Sequence, residues 1–459
     1  MYNYFNFKKH GEDYLITNDA GYYSFLSKEE LGMLLFDSDN INELKKDELI
    51  RKGFLVSKDK ELFINDNYHF VRGYKEYLFY HTSLHIFVVT TRCNQRCIYC
   101  QASAKSADKS SNMSIDTARK AVNIAMSSGG EYLTFEFQGG EPLLNFDTIK
   151  FIVEYAESIK GDKVIEYNIV SNLMLLNEEM LDFFSKYNFN ISTSIDGDET
   201  LHNKNRPAVM GNSYLSMKKS VDKIRKRGLS ISAIQTTTCY SIFNPREIVN
   251  AYLKLGFYDI FLRPLTKLGF AKNRWKDIGY NADEFVSFYE EALNYIVELN
   301  ENGVKMREGH AVILLRKILE RRPINYMELR SPCGAGIGQL AYYYDGGVYT
   351  CDEGRMLAEM GDKSFYIGNV DSLNFADIVK SPVCKAVCSA SCLETIPYCS
   401  DCVYQPYCGI CPILSYSETG SLFSQMPADF KCKVYMGILD ILFGLIKDDD
   451  KLKILEEWI

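Results

Sequence analysis

The sequence lacks three features that would direct it to a nucleic acid, a membrane or the secretory route. Its 52 Lys and Arg residues are outnumbered by 60 Asp and Glu residues, and a net charge of −8 provides no basic field for nucleic acid. The longest apolar run near the C-terminus, Ile438 to Ile446, is interrupted by Asp440 and is too short to cross a bilayer. Residues Met1 to Lys8 lack the basic-then-apolar order of a signal peptide. The sequence therefore predicts a cytoplasmic protein.

Cysteine, by contrast, is abundant. The chain has 459 residues, of which 46% are hydrophobic and 24% charged, so it is long enough for two or three globular domains without disulfide support. Of its 14 cysteines, three lie within residues 93–100, ten lie between Cys333 and Cys432, and Cys239 stands alone. Clustered cysteines in a reducing compartment are typical of metal or catalytic sites.

Residues 1–75 are predicted to form a separate module with a winged-helix-like fold. A capping box, Ser27 to Glu30, opens a first helix. Around it, the pattern predicts a second helix at residues 41–52 and strands at residues 14–17, 22–26, 54–57 and 62–64. The alternative is an N-terminal extension with no recognition role.

From Leu84 the pattern changes to repeated strand–helix units, which predict an α/β fold with a partial (β/α)6 barrel over residues 80–310. Apolar runs typical of buried parallel strands occur at 84–90, 132–137, 165–170, 191–195, 231–237 and 260–262. Helical periodicity occurs at 114–128, 146–160, 177–187, 212–227, 245–255 and 283–302. Six units are fewer than the eight of a closed barrel, so we expect an open side.

The first strand is followed directly by the loop Cys93-Asn-Gln-Arg-Cys97-Ile-Tyr-Cys100. Loops at the carboxyl ends of barrel strands carry the chemistry of such folds. No histidine lies nearby to complete a four-ligand zinc site. Three cysteines on a cubane of four irons leave one iron open for a small molecule.

This spacing resembles that of the radical S-adenosylmethionine (SAM) superfamily, and the resemblance extends over about residues 84–302. Further family motifs can be found at successive strand ends: Gly139-Gly140-Glu141-Pro142, Ser171-Asn172, Ser194-Ile-Asp196-Gly197 and then His202 and Arg206. The resemblance implies that SAM binds to the open iron. It also implies that the SAM site includes Tyr99, Gly139, Gly140, Glu141, Pro142, Ser171, Asn172, Ser194, Asp196 and Arg206.

Individual roles follow from the same resemblance. Glu141 would accept a hydrogen bond from the methionine ammonium, Arg206 would pair with the methionine carboxylate, and Tyr99 would lie against the adenine. Ser194 could instead cap a helix, and Arg206 could be a surface cation.

The C-terminal cysteines resemble the SPASM extension, a domain that holds auxiliary iron–sulfur clusters, predicted here at residues 325–440 with a C-terminal helix to 459. The resemblance implies one [4Fe-4S] cluster on Cys399, Cys402, Cys408 and Cys432. It implies a second on Cys333, Cys351 and Cys411, although the gap before Cys411 is two residues where the family has three.

The second auxiliary cluster lacks a fourth ligand, since residues 322–332 contain no cysteine. The position is either open or filled by one of Cys384, Cys388 and Cys392, which are spaced along one helical stripe and could equally be buried apolar residues. A zinc ribbon is the alternative for the whole region. Asp352 directly follows Cys351, as a proposed general base does in sulfatase-maturating relatives. Asp352 could equally be a solvated turn residue. Glu353 is a second candidate for the base.

The combined domains resemble the maturases of ribosomally synthesised peptides, with short strings closest to the His-Xaa-Ser-system maturase family. The resemblance implies an enzyme that abstracts a hydrogen atom from a precursor peptide by way of a 5′-deoxyadenosyl radical and forms a crosslink. It further implies that the N-terminal module binds the leader and that flavodoxin or ferredoxin supplies electrons. The alternatives are a sulfatase-type maturase that oxidises a Cys or Ser side chain, or a non-catalytic electron-transfer or peptide-binding protein.

Overall fold

A computed structural model describes residues 2–56, 60–104 and 109–459. It contains two sheets, one of three strands and one of ten. The α/β architecture with a large, mostly parallel sheet confirms the predicted fold class. Within the described residues, no helix is both long and apolar enough to span a bilayer.

The N-terminal module consists of a three-stranded antiparallel sheet and three helices. Its elements are β1 (Asn6–His10), β2 (Asp13–Thr17), β3 (Tyr23–Leu26), α1 (Lys28–Phe36), α2 (Glu43–Arg51) and α3 (Lys60–Tyr74). The predicted capping box at Ser27 is present. The strand predicted at 62–64 is wrong, because those residues lie in α3. Of the strand predicted at 54–57, Leu55 forms only an isolated bridge with Tyr2, and Ser57 lies outside the described residues.

Six parallel strands form the centre of the large sheet, at the positions that the apolar runs predict. They are β4 (Leu84–Thr90), β5 (Tyr132–Gly139), β6 (Val164–Val170), β7 (Asn190–Ser194), β8 (Ile231–Thr236) and β9 (Asp259–Arg263). Helices between and after them are α4 (Ile115–Met126), α5 (Phe146–Ile159), α6 (Glu178–Lys186), α7 (Glu199–Asn205), α8 (Ser213–Lys226), α9 (Pro245–Lys254), α10 (Gly269–Asn273), α11 (Trp275–Ile278) and α12 (Ala282–Glu301). The strands pair in chain order, as expected for successive right-handed crossovers.

The remaining elements complete the large sheet and the cysteine-rich region. They are β10 (Arg307–Glu308), α13 (Gly309–Ile318), β11 (Gln339–Tyr342), β12 (Gly347–Tyr349), α14 (Asp352–Glu359), β13 (Tyr366–Asn369), α15 (Phe375–Lys380), α16 (Pro382–Ser389), α17 (Pro412–Thr419), α18 (Phe430–Ile446) and α19 (Asp449–Glu456). Short 3-10 helices occur at Ser38–Asn40, Glu76–Phe79, Lys109–Ser111, Pro142–Asn145 and Leu393–Thr395.

Strand β11 pairs in parallel with β4, with Gln339 opposite Leu84, and β12 and β13 continue the sheet beyond it. The sheet order is therefore β10-β9-β8-β7-β6-β5-β4-β11-β12-β13. The sequence did not predict this extension, because strands of three or four residues carry little periodic signal. As a result, the cysteine-rich region is joined to the barrel by main-chain hydrogen bonds.

The N-terminal module also contacts the cysteine-rich region. The hydroxyl of Thr17 donates to the carbonyl oxygen of Val403 (2.6 Å), and the hydroxyl of Tyr74 donates to that of Pro406 (2.5 Å). The rings of Tyr23 and Phe25 contact Phe443 of α18 edge-on. The module is therefore docked on residues 403–407 and α18.

Candidate functional site

The loop that carries Cys93, Cys97 and Cys100 is held by the segment after α7. Within the loop, the amides of Arg96 and Ile98 donate to the carbonyl oxygens of Pro207 (2.8 Å) and Asn205 (2.9 Å). The amide of Val209 donates in turn to Asn94 (2.9 Å). These main-chain bonds fix the loop at the carboxyl end of β4, next to Arg206.

Two glycines at the end of β5 allow close contact with the start of the same loop. The amide of Gly140 donates to the carbonyl oxygen of Thr90 (2.9 Å), and the amide of Glu141 donates to that of Arg92 (2.7 Å). A Cβ atom at Gly139 would lie 2.0 Å from the oxygen of Thr90, and one at Gly140 would lie 2.1 Å from that of Arg92. Only glycine fits at either position.

Glu141 is fully buried, and both of its carboxylate oxygens accept hydrogen bonds within the protein. The donors are the Ser171 hydroxyl (2.8 Å) and the amides of Asn172 (2.8 Å) and Leu143 (3.1 Å). Burial raises the pKa of Glu141 to about 7 against these stabilising bonds. In this arrangement Glu141 links the ends of β5 and β6.

Asp196 and Arg206 form a second buried polar group around Tyr99. The Asp196 carboxylate accepts hydrogen bonds from the Tyr99 hydroxyl (2.7 Å) and the Arg206 Nε (3.2 Å). The Arg206 guanidinium lies 5.2 Å from the centre of the Tyr99 ring, and its Nη1 lies 3.9 Å from the Cys97 Sγ. A cation is thus held beside the cysteine loop.

A cavity of about 210 Å³ lies where these groups meet. Its lining includes most of the residues predicted for SAM and its cluster: Cys93, Cys97, Tyr99, Cys100, Gly139, Gly140, Ser171, Asn172, Ser194 and Arg206. The fully buried carboxylates of Glu141 and Asp196 act from behind this lining, as does Pro142, which opens a short 3-10 helix.

The thiols around this cavity suit a metal cluster. Burial raises the pKa of Cys93 and of Cys97 to about 12, and the Arg206 charge opposes the rise at Cys97. Thiols bind iron as thiolates, so cluster binding would displace these protons. Three thiols, one adjacent cation and a cavity on the same side of the loop fit an iron–sulfur cluster that carries a small ligand.

A larger cavity of about 640 Å³ adjoins the first. The two share the lining residues Gln101, Gln138, Val170, Ser194, Thr236 and Met356. The larger cavity is also lined by Glu136, Arg263, Glu328, Asp352 and Glu353. Sequence reasoning missed Glu136, Arg263 and Glu328; at Glu136, a polar residue inside an apolar strand was the available signal.

Asp352 lies at the start of α14, and the Arg355 Nε donates to its carboxylate (3.1 Å). Burial raises the pKa of Glu136 and of Glu353 in the same cavity. The predicted base therefore lies in the wall of a cavity large enough for a substrate side chain.

Four C-terminal cysteines that the SPASM resemblance groups together lie near one another. Burial, with smaller contributions from the neighbouring thiols of Cys408 and Cys402, raises the pKa of Cys399 to about 12. Cys432, on α18, interacts with the same three thiols. The structure thus brings Cys399, Cys402, Cys408 and Cys432 together.

A second cysteine group belongs to one buried apolar cluster. Cys333, Cys351 and Cys411 lie there with Leu268 and Val387 among others. Within the part of the chain that the structure describes, neither this group nor the cysteines of residues 93–100 and 399–432 include three side chains already arranged to hold a metal ion. The three thiols nevertheless interact with one another electrostatically, as neighbours do.

The remaining cysteines have other surroundings. Cys384 lies against the backbone of Gly336, and Cys388 interacts with Cys392 and Arg330. The Cys239 thiol donates to the carbonyl oxygen of Asp277 (3.2 Å). Cys384 thus lies beside the segment that follows Cys333.

Comparison with known proteins gives one family match. Residues 87–255 match the model of the radical SAM superfamily. An uncharacterised protein of Methanothermobacter thermautotrophicus is 34% identical over 182 residues, which are 38% of this chain and 65% of that protein. The chain thus spans less than two thirds of the length of this relative. A serine-type anaerobic sulfatase-maturating enzyme of Bacteroides thetaiotaomicron is 21% identical over 75% of this chain and 85% of the enzyme.

Two solved structures share the architecture over most of the chain. The structure of native anSMEcpe with bound AdoMet has a TM-score of 0.69 at 17% identity, covering 82% of this chain and 99% of that one. Streptococcus suis SuiB bound to the precursor peptide SuiA has a TM-score of 0.55 at 14% identity, covering 92% and 98%. Residues 87–255 are therefore similar to a radical SAM domain, in a chain that has the fold of anSMEcpe and SuiB.

Proposed function

We propose that the chain is a radical SAM enzyme that modifies a ribosomally synthesised peptide, with a crosslink as the product. The observation that carries the proposal is the junction of two cavities. The smaller is lined by Cys93, Cys97 and Cys100, and the larger by Asp352, with Ser194 and other residues common to both. A cofactor in the first cavity would lie next to a substrate residue in the second.

The chain's own residues bind and orient the reactants. Cys93, Cys97 and Cys100 hold the cluster, while the ends of β5 and β6 and Arg206 form the wall against which SAM binds. When bound, the cluster and SAM supply a 5′-deoxyadenosyl radical that takes a hydrogen atom from the substrate. Asp352 would accept a proton from the substrate radical as its second electron passes to an auxiliary cluster, and the hydrogen bond with Arg355 fixes the orientation of the Asp352 carboxylate. A one-electron donor such as flavodoxin or ferredoxin completes the system.

Two auxiliary clusters complete the cofactor set. Cys399, Cys402, Cys408 and Cys432 hold one, and Cys333, Cys351 and Cys411 hold the other. Support comes from the convergence of each thiol group and from the SPASM-like spacing.

The proposal also assigns leader binding to the N-terminal module. An extended peptide can bind by adding a strand to a sheet edge. On β3, the carbonyl oxygens of Tyr23 and Phe25 already accept hydrogen bonds from Lys52 and Lys45. The other edge, β1, carries an exposed Phe7. The leader therefore pairs with β1.

The register of β1 provides a test of leader binding. His10 and Asp13 close a two-residue turn, so pairs alternate along the ladder and the amide of Phe7 points outward. Phe7→Pro removes this amide and leaves the β1–β2 ladder intact. We expect it to weaken leader binding more than Phe7→Ala, which keeps the amide. Equal peptide affinities of the two variants would rule out strand addition at β1.

The main experiment measures 5′-deoxyadenosine and peptide mass after incubation of the reduced enzyme with SAM and a candidate precursor peptide, chosen from any short reading frame next to its gene. The wild type should release 5′-deoxyadenosine, and replacement of Cys93, Cys97 and Cys100 together should abolish release. A crosslink would remove the fragment ions between the joined residues. Release of 5′-deoxyadenosine by the triple variant would overturn the assignment of the loop, and no release by the wild type would favour an electron carrier or a peptide-binding protein.

A sulfatase-type maturase is the second candidate, favoured by Asp352 directly after Cys351 and by the 21% identity to a sulfatase-maturating enzyme. Such an enzyme would oxidise one Cys or Ser side chain. Its product would keep a complete fragment-ion series with a mass change at a single residue, which separates it from a crosslink.

A further inference from the structure

A single carboxylate projects from the strands into the larger cavity. Successive residues of a strand point to opposite faces of the sheet. On β5, Phe135 and Phe137 are buried in the apolar core. Thr134, Glu136 and Gln138 therefore face the other side, where all three line the cavity of about 640 Å³. Of the strand residues that the structure places around this cavity, Glu136 is the only acid.

The immediate neighbours of Glu136 are neutral. Ile86 and Asn168 lie opposite it on the adjacent strands β4 and β6, and its carboxylate accepts a hydrogen bond from the side-chain amide of Gln138. Within the part of the chain that the structure describes, no Lys or Arg forms an ion pair with Glu136. Burial raises the pKa of Glu136, so a cation beside the carboxylate would lower the cost of its charge.

The cavity as a whole has an excess of negative charge. Its lining includes four carboxylates, those of Glu136, Glu328, Asp352 and Glu353, and one cation, Arg263. The Arg263 guanidinium already donates a hydrogen bond to Glu328 (2.8 Å). A positively charged group is therefore favoured in this cavity over a neutral or an anionic one.

The position of Glu136 along β5 sets the length of such a group. Gln138, two residues further on, lines both cavities. Two residues of a parallel strand span about 7 Å, which is comparable with the extended stem of a lysine or arginine side chain. Val170 and Met356, which also line both cavities, and Ile86 beside Glu136 provide apolar surface for that stem. A basic residue whose charge reaches Glu136 thus has its backbone at the junction of the two cavities.

We propose that the peptide residue that occupies the larger cavity is basic, and that Glu136 binds its ammonium or guanidinium group. The inference rests on the proposed function, which places a substrate residue in this cavity, and it adds the charge of that residue. Glu136 selects and orients the side chain and takes no part in hydrogen transfer. The carbon–hydrogen bonds near the backbone of the basic residue then lie next to the smaller cavity, where SAM binds in the proposed function.

The test measures how the full-length protein binds three blocked amino acids, the Nα-acetyl N-methylamides of lysine, arginine and norleucine. Norleucine has a straight apolar side chain without charge. In ligand-observed NMR titrations, the wild type should bind the lysine or the arginine compound about tenfold more tightly than the norleucine compound, because a hydrogen bond with a charged group provides a difference of this order. The tighter of the two cations identifies the residue. Equal affinities of the wild type for all three compounds would overturn the proposal.

Three variants locate the preference within the protein. Glu136→Gln keeps the shape of the side chain, removes its charge and should bind the three compounds about equally. Glu131→Gln is the matched control, because Glu131 is exposed directly before β5, and this variant should keep the preference. Glu353→Gln removes another carboxylate of the same cavity and should keep it as well.

A preference that survives in Glu136→Gln would assign the cation to another carboxylate and overturn the role of Glu136. A loss in Glu353→Gln as complete as that in Glu136→Gln would show that the overall charge of the cavity, and not Glu136, selects the cation. The titrations contain neither SAM nor reductant. Their outcome is therefore separate from the release of 5′-deoxyadenosine, which tests the proposed function.

Discussion

Asp196 shows how one buried side chain can organise a cofactor site that it does not line. It accepts hydrogen bonds from Tyr99 and Arg206, both of which face the smaller cavity. Loss of its charge would release both side chains at once. In the proposed function, Asp196 therefore acts on SAM through Tyr99 and Arg206.

We expect Asp196→Asn to lower SAM affinity about ten- to a hundredfold, since a hydrogen bond to a charged group contributes about 1.5–3 kcal/mol. Asp198→Asn is the matched control: Asp198 is exposed and caps α7, and asparagine caps helices equally well. Calorimetric titration of the cluster-loaded protein with SAM measures the difference. Equal affinities of the two variants would contradict the role of Asp196.

His85 gives a prediction for stability against pH. It is fully buried on β4, with its Nδ1 3.0 Å from the Tyr342 hydroxyl, and burial lowers its pKa from 6.5 to about 3. A histidine whose pKa is lowered on folding stabilises the protein fully above pH 6.5, and that contribution is lost as the pH falls towards 3.

Lowering the pH from 7 to 5 should therefore reduce the free energy of unfolding by about 2 kcal/mol through His85 alone. His85→Leu should remove that part of the acid sensitivity, whereas His81→Gln, at an exposed position, should keep it. Urea unfolding at the two pH values measures both. An unchanged pH dependence in His85→Leu would show that His85 is protonated in the folded protein.

At the residue scale, the sequence predicted which residues belong to the candidate site better than it predicted what each side chain contacts. The spacing of Cys93, Cys97 and Cys100 was enough to locate a loop that lines the smaller cavity, because a local motif carries its own geometry. Glu141 was interpreted as an acceptor for the SAM ammonium, and in the structure its oxygens accept bonds from the end of β6. That partner depends on how β5 and β6 meet, which no local pattern encodes.

At the scale of elements, the contact between β5 and the cysteine loop sets the shape of the site. Gly140→Ala places a methyl group against the Arg92 carbonyl oxygen and pushes the loop away. We expect about four of about twelve irons to be lost, with the auxiliary clusters retained. Gly32→Ala, in α1 with open space around its Cβ, is the control. Iron analysis after anaerobic reconstitution measures the loss. Full iron content in Gly140→Ala would show that the loop accommodates the added methyl group.

The six central strands were predictable because a strand buried on both faces is a continuous apolar run. The helix over 60–74 was not predicted, because the apolar residues Leu62 to Ile64, taken alone, match the pattern of a short strand. Strands β11 to β13 have only three or four residues each, and they join the sheet through the pairing of β11 with β4. The hydrophobic pattern thus predicted those elements that are long enough to show it clearly.

At the scale of the whole molecule, the N-terminal module supports the cysteine-rich region. Deletion of residues 1–75 would expose Phe443 and remove the hydrogen bonds to Val403 and Pro406. We expect the truncated protein to lose the cluster on Cys399, Cys402, Cys408 and Cys432, about four irons, and to keep SAM cleavage. Iron content and 5′-deoxyadenosine release measure the two effects; an unchanged iron content would show that the module is independent. Phe7→Pro is thus the cleaner test of leader binding.

The pairing of β11 with β4 also has a consequence for electron flow. Cys93 follows β4, and Cys351 follows β12, two strands away in the same sheet. Because β12 runs antiparallel to β11 and β4, Cys351 lies level with Leu84 at the amino end of β4, whereas Cys93 follows its carboxyl end. The two anchor points are therefore separated by about 10 Å across the strands and by about 20 Å along them, and the strand pairing sets both distances. In the proposed function, an electron that passes from the substrate to the auxiliary cluster beside Cys351 would therefore cross a distance that the pairing of these strands keeps constant.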